Sequence, residues 1–256
     1  MPDIAILTRP EGRNATLDGR LTRAGWQVYS WPALQLEPWL DPGVPLPRPD
    51  AFDLTIFVSA NAARVYLEQL ADAGGGWPQG GTAATVGPTS AEALRALGPG
   101  LGMTILHPGP DAVRHDSEAL WALLQQYPQL LGRVLIVRGT AGRDWLADTL
   151  RAAGASVQVH AAYRRLPAAW DPGTLAQLGT WAQAGLCPTW LLTSADSVTA
   201  VCANIDRAGL REWWRSNQRF VVTHPRLAAH PGFAPGARIT VCRPGEEEIF
   251  NAFVAA

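Results

Sequence analysis

The chain carries its apolar residues in two alternating kinds of block. Short continuous runs, DIAILT, LTIFVS and RVLIVRG (Arg133 to Gly139), read as strands buried on both faces. Between them, ATLDGRLTRAG, NAARVYLEQLADAG and TSAEALRALG repeat apolar positions every three or four residues, the period of a helix with one buried face. QVYSWPALQLEP and TAATVG add further strand-like runs. This βαβα rhythm predicts α/β architecture with mostly parallel sheets flanked by helices. The Pro- and Gly-rich stretches DPGVPLPRPD (Asp41 to Asp50), ADAGGGWPQGG (Ala71 to Gly81) and HPGPDAVRHD (His107 to Asp116) read as loops. Near the C-terminus, HPGFAPGARITV carries little helix signal.

The pattern also repeats. ILTRPEGRNATLDGRLTRAGWQV aligns with LIVRGTAGRDWLADTLRAAGASV, setting Arg9 against Arg138, Gly25 against Gly154 and Pro38 against Pro167 at one offset of 129 residues. FVSANAA then faces LTSADSV at an offset of 135, and TVGPTSAEAL faces VTHPRLAAHP at 137. Three blocks in one order, each displaced by about half the chain, predict an internal duplication, although any two βαβ units share some of this likeness. Two lobes of similar build would carry their binding loops at the C-terminal ends of their strands.

Composition narrows the chemistry. At 256 residues and 47% hydrophobic content, the chain can bury one large core or two ordinary ones. Its formal net charge of -1 gives no whole-chain attraction to nucleic acid or an anionic membrane. All 21 basic residues are arginine, so Schiff-base chemistry, pyridoxal phosphate attachment and a P-loop lysine are excluded. Cys187, Cys202 and Cys242 form no CxxC pair, and the five histidines make no metal pattern, so neither a zinc site nor a disulfide framework is expected. The N-terminus MPDIAILTRP enters a strand-like run directly, and no apolar stretch reaches membrane-spanning length, which predicts a cytoplasmic protein with reduced thiols.

The candidate chemistry lies where strands give way to helices. Ser59, Ala60 and Asn61; Gly87, Pro88, Thr89 and Ser90; Thr193, Ser194 and Asp196; and Thr223, His224 and Pro225 occupy four such junctions. Small hydroxyl residues there cap helix N-termini, and several such termini together offer N–H groups to carboxylates or phosphates. Capping alone is also a sufficient reason for each. Arg9, Arg138, Arg143 and Arg226 lie near the same strand ends and are suited to bidentate carboxylate contacts, or to plain solvation. GxSxG and GxGxxG are both absent, leaving no nucleophile elbow and no dinucleotide fingerprint. Tyr163, in VHAAYRRLP, follows a strand-like run and precedes two arginines; its phenol can donate a proton, or simply sit as an amphipathic strand-end residue.

Taken in order from Ile4 to Phe250, ILTRPEGRN, FVSANAARV, TVGPTSAEALRALG, DSEALWALL, RVLIVRGTAGRDWLADTLRAAGASV, YRRLP, LLTSADSV and VVTHPRLAA resemble the uroporphyrinogen-III synthase family. The resemblance implies two similar α/β lobes joined by a two-stranded antiparallel linker, with a cleft between the lobes. Carried onto this chain, 1–33 with 168–256 would form one lobe, 49–159 the other, and 34–48 and 160–167 the connections. It implies a cofactor-free, metal-free reaction on hydroxymethylbilane, a linear tetrapyrrole with eight carboxylates. The terminal hydroxyl leaves as water to give an azafulvene, and the ring closes through a spiro intermediate with ring D inverted. Tyr163 would be the general acid. Arg9, Ser59, Ala60, Asn61, Gly87, Thr89, Arg138, Ser194, His224 and Arg226 would hold the substrate, through backbone N–H groups as much as side chains. The implied protein is a monomer, either working alone or in transient contact with the preceding deaminase, with no nucleic acid or membrane partner. Two other readings stand beside it: a non-catalytic two-lobed binding protein for a small anion, and another cofactor-free α/β lyase.

Overall fold

The computed structural model describes residues 3–98, 100, 102–109, 112, 114–216 and 218–255, without the side chain of Thr89. In chain order the elements are β1 (Ile4–Leu7), α1 (Ala15–Arg23), β2 (Gln27–Ser30), β3 (Leu34–Pro38), β4 (Leu54–Phe57), α2 (Ala60–Asp72), β5 (Thr82–Thr85), α3 (Pro88–Leu97), β6 (Thr104–Leu106) and α4 (Ser117–Leu124). There follow β7 (Arg133–Gly139), α5 (Trp145–Ala152), β8 (Ser156–Pro167), α6 (Pro172–Gln183), β9 (Thr189–Leu192), α7 (Ala195–Arg207), α8 (Arg211–Arg215), β10 (Arg219–Val222), α9 (Pro225–Ala228), β11 (Arg238–Val241) and α10 (Glu246–Val254). They divide into two units, Met1–Leu36 with Leu166–Ala256, and Glu37–Arg165.

Among the described residues, the first unit holds a five-stranded sheet in the order β11-β10-β9-β1-β2, and the second a six-stranded sheet in the order β3-β8-β7-β4-β5-β6. Reading β1 as β7, β2 as β8, β9 as β4, β10 as β5 and β11 as β6 turns one order into the other, with β3 added at the edge. The five-stranded sheet therefore takes two strands from the first half of the repeat and three from the second, and the six-stranded sheet four from the first, β3 included, and two from the second. The pairs β1–β2, β1–β9, β9–β10 and β10–β11 are parallel, as are β4–β5, β4–β7, β5–β6 and β7–β8. The chain at β3 runs opposite to β8, since Trp39 N–H donates to Ala162 at one end and Ala168 N–H to Ala33 at the other.

Local chemistry accounts for the repeated joints. Gly25 and Gly154 follow α1 and α5 with φ of 90° and 94°, a left-handed conformation that costs other residues more than glycine. In both, the next N–H reaches back along the helix, Trp26 to Leu21 and Ala155 to Leu150, each at 3.0 Å, closing the helix end. Pro38 and Pro167 are the last residues of β3 and β8. The single run QVYSWPALQLEP becomes two strands because Pro32 lacks an N–H for a ladder and breaks it. Beyond HPGFAPGARITV, α10 forms from EEEIFNAFV, with Glu246, Glu247 and Glu248 in its first turn against the positive end of the helix dipole.

Parallel strands must be covered on both faces, and the residues that do so differ between units. In the second unit, Leu54, Ile56, Val134 and Ile136 pack under α4 and α5 through Leu120, Leu124, Leu146 and Leu150. In the first, one face is a tryptophan cluster. Trp190 of β9 is fully buried, stacks on Trp170 at 6.2 Å and meets the Trp214 edge at 5.0 Å, while its ring N–H donates to Gln218. The other face packs Leu7, Leu191 and Val221 against Leu17 and Leu21 of α1 and Phe253 of α10.

On β8, His160 is buried against Tyr66 and bonds the side-chain oxygen of Gln69 at 3.1 Å. Gln69 donates its amide N–H groups to the Trp39 and Ala162 carbonyls, at 2.8 and 3.0 Å, so its oxygen is the acceptor and His160 Nε2 carries the proton. Burial holds the His160 pKa below the ordinary histidine range, with Asp41 opposing it weakly. The unfolded chain then takes up a proton that the folded one resists, so this contribution to stability is complete above about pH 6.5 and declines as pH falls below it. Urea unfolding should show that decline as pH falls below about 6.5, and His160→Gln should flatten it; an equal slope in the variant would assign the decline elsewhere. Trp190→Ala should cost about 3–5 kcal/mol in the same assay, and a loss below about 1 kcal/mol would show that the cluster refills the space.

Candidate active site

In the unit Glu37–Arg165, a pocket of about 230 Å³ opens at the C-terminal ends of β4, β7 and β8. Ser59 enters it from the β4–α2 junction, Arg138 and Gly139 from the end of β7, Ala141, Gly142 and Arg143 from the β7–α5 loop, Ser117 from α4, and Val159, Tyr163 and Arg165 from β8. Ser59 is extended, as an N-cap should be, and its hydroxyl accepts from Ala62 N–H at 3.1 Å. The same oxygen lies 3.4 Å from the Tyr163 phenolic oxygen, a long hydrogen bond between two hydroxyls.

A register shift between β7 and β8 places Tyr163. Arg138 pairs with Ala161, but Gly139 pairs with Tyr163, leaving Ala162 as an extra residue on β8. The Tyr163 carbonyl accepts from Thr140 N–H at 2.8 Å, and the ring lies over Gly139. A Cβ at Gly139 would come within 3.0 Å of two ring carbons, so the glycine is there for space rather than backbone freedom. The side chain of Tyr163 is thus 2% exposed and held between a glycine and a serine hydroxyl.

The arginines of the pocket are in different states. Arg138 makes a 2.8 Å pair with Asp144 and donates to the Arg143 carbonyl at 3.2 Å. Arg143 forks onto both Glu118 oxygens at 3.0 and 3.3 Å. That hydrogen bond holds the Glu118 carboxyl below its usual range and raises the Arg143 guanidinium in return. Arg165 makes no ion pair among the described residues; its guanidinium carbon is 6.0 Å from the Tyr163 ring centre.

The other expected residues fall as follows. Ala60 and Asn61 open α2, half-buried, next to Ser59. Gly87 caps α3 ahead of Pro88, and a Cβ there would come within 3.0 Å of the His115 side chain. Thr89 lies in the first turn of α3, and its side chain is outside the described residues. In the other unit, Ser194 caps α7 in a reciprocal box with Ser197, both bonds at 3.1 Å. His224 caps α9 in place of a small hydroxyl residue, its Nδ1 accepting from Arg226 N–H at 3.1 Å, and Arg226 itself is exposed. Arg9 is buried and engaged: Nε donates to Asn14 at 3.0 Å, and a terminal nitrogen pairs with Glu246 at 2.6 Å.

Ser59, Arg138 and Tyr163 are therefore brought into one pocket, while Arg9, Ser194, His224 and Arg226 stand at strand ends of the other unit. Arg9 and Arg138, expected to face carboxylates of a ligand, both face carboxylates of their own chain. Ser117, Gly139 and Arg165 are pocket residues that the motifs did not single out. For Arg165 a signal existed, because residues two apart on a strand share a face and Tyr163 was already a candidate. Among the described residues no group of three or more His, Cys, Asp and Glu side chains could hold a metal ion, and no helix is long and apolar enough to cross a membrane.

Residues 15–232 match the family model described as uroporphyrinogen-III synthase HemD. The chain is 30% identical over 234 residues to the uroporphyrinogen-III synthase of Escherichia coli (strain K12), covering 87% of this chain and 88% of that protein. It is 28% identical over 226 residues to the protein of the same name from Salmonella typhimurium, with the same 87% and 88% coverage. Among solved structures, uroporphyrinogen-III synthetase from Helicobacter pylori 26695 matches with a TM-score of 0.59 at 12% identity, over 100% of this chain and 99% of that one. A mutant uroporphyrinogen III synthase from the extremely thermophilic bacterium Thermus thermophilus matches with 0.52 at 17% identity, over 99% and 96%. At such identities the structural likeness is one of fold.

The two serine caps should be worth similar free energies. Ser59→Ala and Ser194→Ala should each cost about 1 kcal/mol in urea unfolding, and Ser59→Asp should keep most of the stability. Unchanged midpoints in both alanine variants would show that the caps are dispensable.

Proposed function

The chain belongs to the uroporphyrinogen-III synthase family, and from that premise we propose that it closes hydroxymethylbilane into uroporphyrinogen III, with the Tyr163 pocket acting where the terminal hydroxyl leaves. The observation that carries the reading is the pairing of Tyr163 with Ser59 in a pocket that arginines line, within a chain whose family model spans 15–232. A tyrosine donates its proton as the C–O bond breaks, water departs, and the pyrrole nitrogen's electrons form the azafulvene in its N-protonated form; the proton that ring D gives up after closure returns to the phenolate. Ser59, within hydrogen-bond reach, steadies the phenol before the transfer and the phenolate after it. The substituted carbon of ring D then attacks, the spiro intermediate opens, and reclosure leaves ring D inverted. Attack at the unsubstituted carbon would be easier, so the protein's share of the work is to hold the chain in the less accessible geometry.

The remaining donors fit a polyanion. Ser59, Ala60, Asn61, Gly87 and Thr89 stand at helix N-termini of one unit, and Ser194, His224 and Arg226 at those of the other. Helix N-termini receive carboxylates through free N–H groups, without a formal charge on the protein. We assign 1–33 with 168–256 and 49–159 as the two lobes and 34–48 and 160–167 as their connections, a reading supported by the equivalent strand orders. The same reading makes the protein a cytoplasmic monomer that takes its substrate from the preceding deaminase. A formal net charge of -1 supports the part of it that excludes nucleic acid and anionic membrane surfaces as partners.

Hydroxymethylbilane made in situ by the deaminase, followed by separation of the product isomers, tests the activity. The type III isomer is expected, and only the spontaneous type I isomer would refute it. Tyr163→Phe should slow turnover by about 10²-fold or more, as loss of a general acid does, while thermal unfolding stays near wild type. Turnover equal to wild type would remove Tyr163 from the mechanism.

A further inference from the structure

We propose that Arg165 is the carboxylate receptor of this pocket, the one guanidinium among its described residues that is available to fix a side-chain carboxylate of the tetrapyrrole beside Tyr163. The proposal rests on the reading of the chain as a uroporphyrinogen-III synthase and goes beyond it by assigning the charge contact.

The argument begins with strand alternation. Tyr163 and Arg165 stand two apart on β8 beyond the extra residue Ala162, and both line the pocket, whereas Arg164 between them faces away. The two neighbouring arginines of YRR therefore part. Arg164 forks onto Glu37 at 2.9 and 3.0 Å and lies over the Trp39 ring at 4.7 Å, so its donors and its cationic face are spent inside the unit. Arg165 points the other way, is exposed to solvent and reaches the mouth of the pocket.

Charge pairing then singles it out. Three arginines line the pocket, and two are cancelled: Arg138 by Asp144 and Arg143 by Glu118. Turning either toward a ligand would first give up that ion pair, a modest cost because Asp144 and Arg143 are largely exposed, but one that Arg165 does not carry. Arg165 has no hydrogen-bond or ion-pair partner among the described residues, and at 6.0 Å its approach to the Tyr163 ring is at the outer limit of a cation–π contact. Its planar fork is therefore ready for a carboxylate, with no internal bond to break first.

The test is steady-state kinetics on hydroxymethylbilane generated in situ, using Arg165→Gln, Arg165→Lys and, as a control on the opposite face, Arg164→Gln. Arg165→Gln should raise KM about ten-fold or more with kcat little changed, the effect expected when one charge-assisted contact is lost. Arg165→Lys should recover part of that loss, because it restores the charge but not the fork. Arg164→Gln should leave KM near wild type. The exposed position of Arg165 predicts an unchanged thermal midpoint, which separates binding from folding. A wild-type KM in Arg165→Gln overturns the proposal, as does an equal rise in Arg164→Gln, which would mark a general charge effect. A wild-type protein that makes only the type I isomer would instead overturn the activity itself, whatever the variants do.

Discussion

Parallel pairing is the constraint on which the rest of the structure depends. Two parallel neighbours cannot be joined by a tight turn, so each strand must leave its sheet, cross a face and re-enter at the starting edge. Every strand of a parallel sheet thereby ends at one edge, and each following helix begins there. Ser59, Gly87, Ser194 and His224 are N-caps because they stand at those exits, after β4, β5, β9 and β10. In the six-stranded sheet, the edge that carries Ser59 and Gly87 also carries the end of β7, and with it the pocket. Burial on both faces supplies the free energy that holds the edge in place, through aliphatic contacts under α4 and α5 and through the tryptophan cluster around Trp190.

Against this regular background, one irregularity shapes the site. An ideal β7–β8 ladder would set Ala162 opposite Gly139; the extra residue brings Tyr163 there instead. Gly139 lacks the atom that would collide with the ring, and Ser59 supplies a hydroxyl on its other side. The tyrosine is therefore positioned by a slip in β8, a missing side chain on the preceding strand β7, and a cap after the distant strand β4. On the opposite face of β8, His160 and Gln69 tie the strand to α2 and to the Trp39 carbonyl, so the strand that carries the tyrosine is fixed from behind.

Arginine is the only basic residue type besides histidine in this chain, and the structure uses it in two ways. Arg9, Arg138, Arg143 and Arg164 brace one segment against another through carboxylates of the same protein. Arg165 and Arg226 stand exposed at strand ends. Both uses follow from the same planar fork, which matches a carboxylate whether that group belongs to Glu118 or to a ligand.

The alternating blocks, the halved repeat and the Ser, Gly and Pro junctions made the α/β class, the matched joints at Gly25 and Gly154, and the caps at Ser59 and Ser194 legible from the chain alone, because each depends on neighbours within one turn or one strand. Local preference also made Tyr163 a candidate. It did not reveal that QVYSWPALQLEP forms two strands, that α10 closes the chain, or that His224 takes a cap usually given to a smaller residue. Least visible was which arginines were already paired. Arg9 meets Glu246 across 237 residues and Arg164 meets Glu37 across 127, contacts that no local pattern encodes. Sequence determined which segments would become strands, helices and caps. Only the tertiary structure decided which charges were already answered, since a guanidinium's partner is set by where distant strands end.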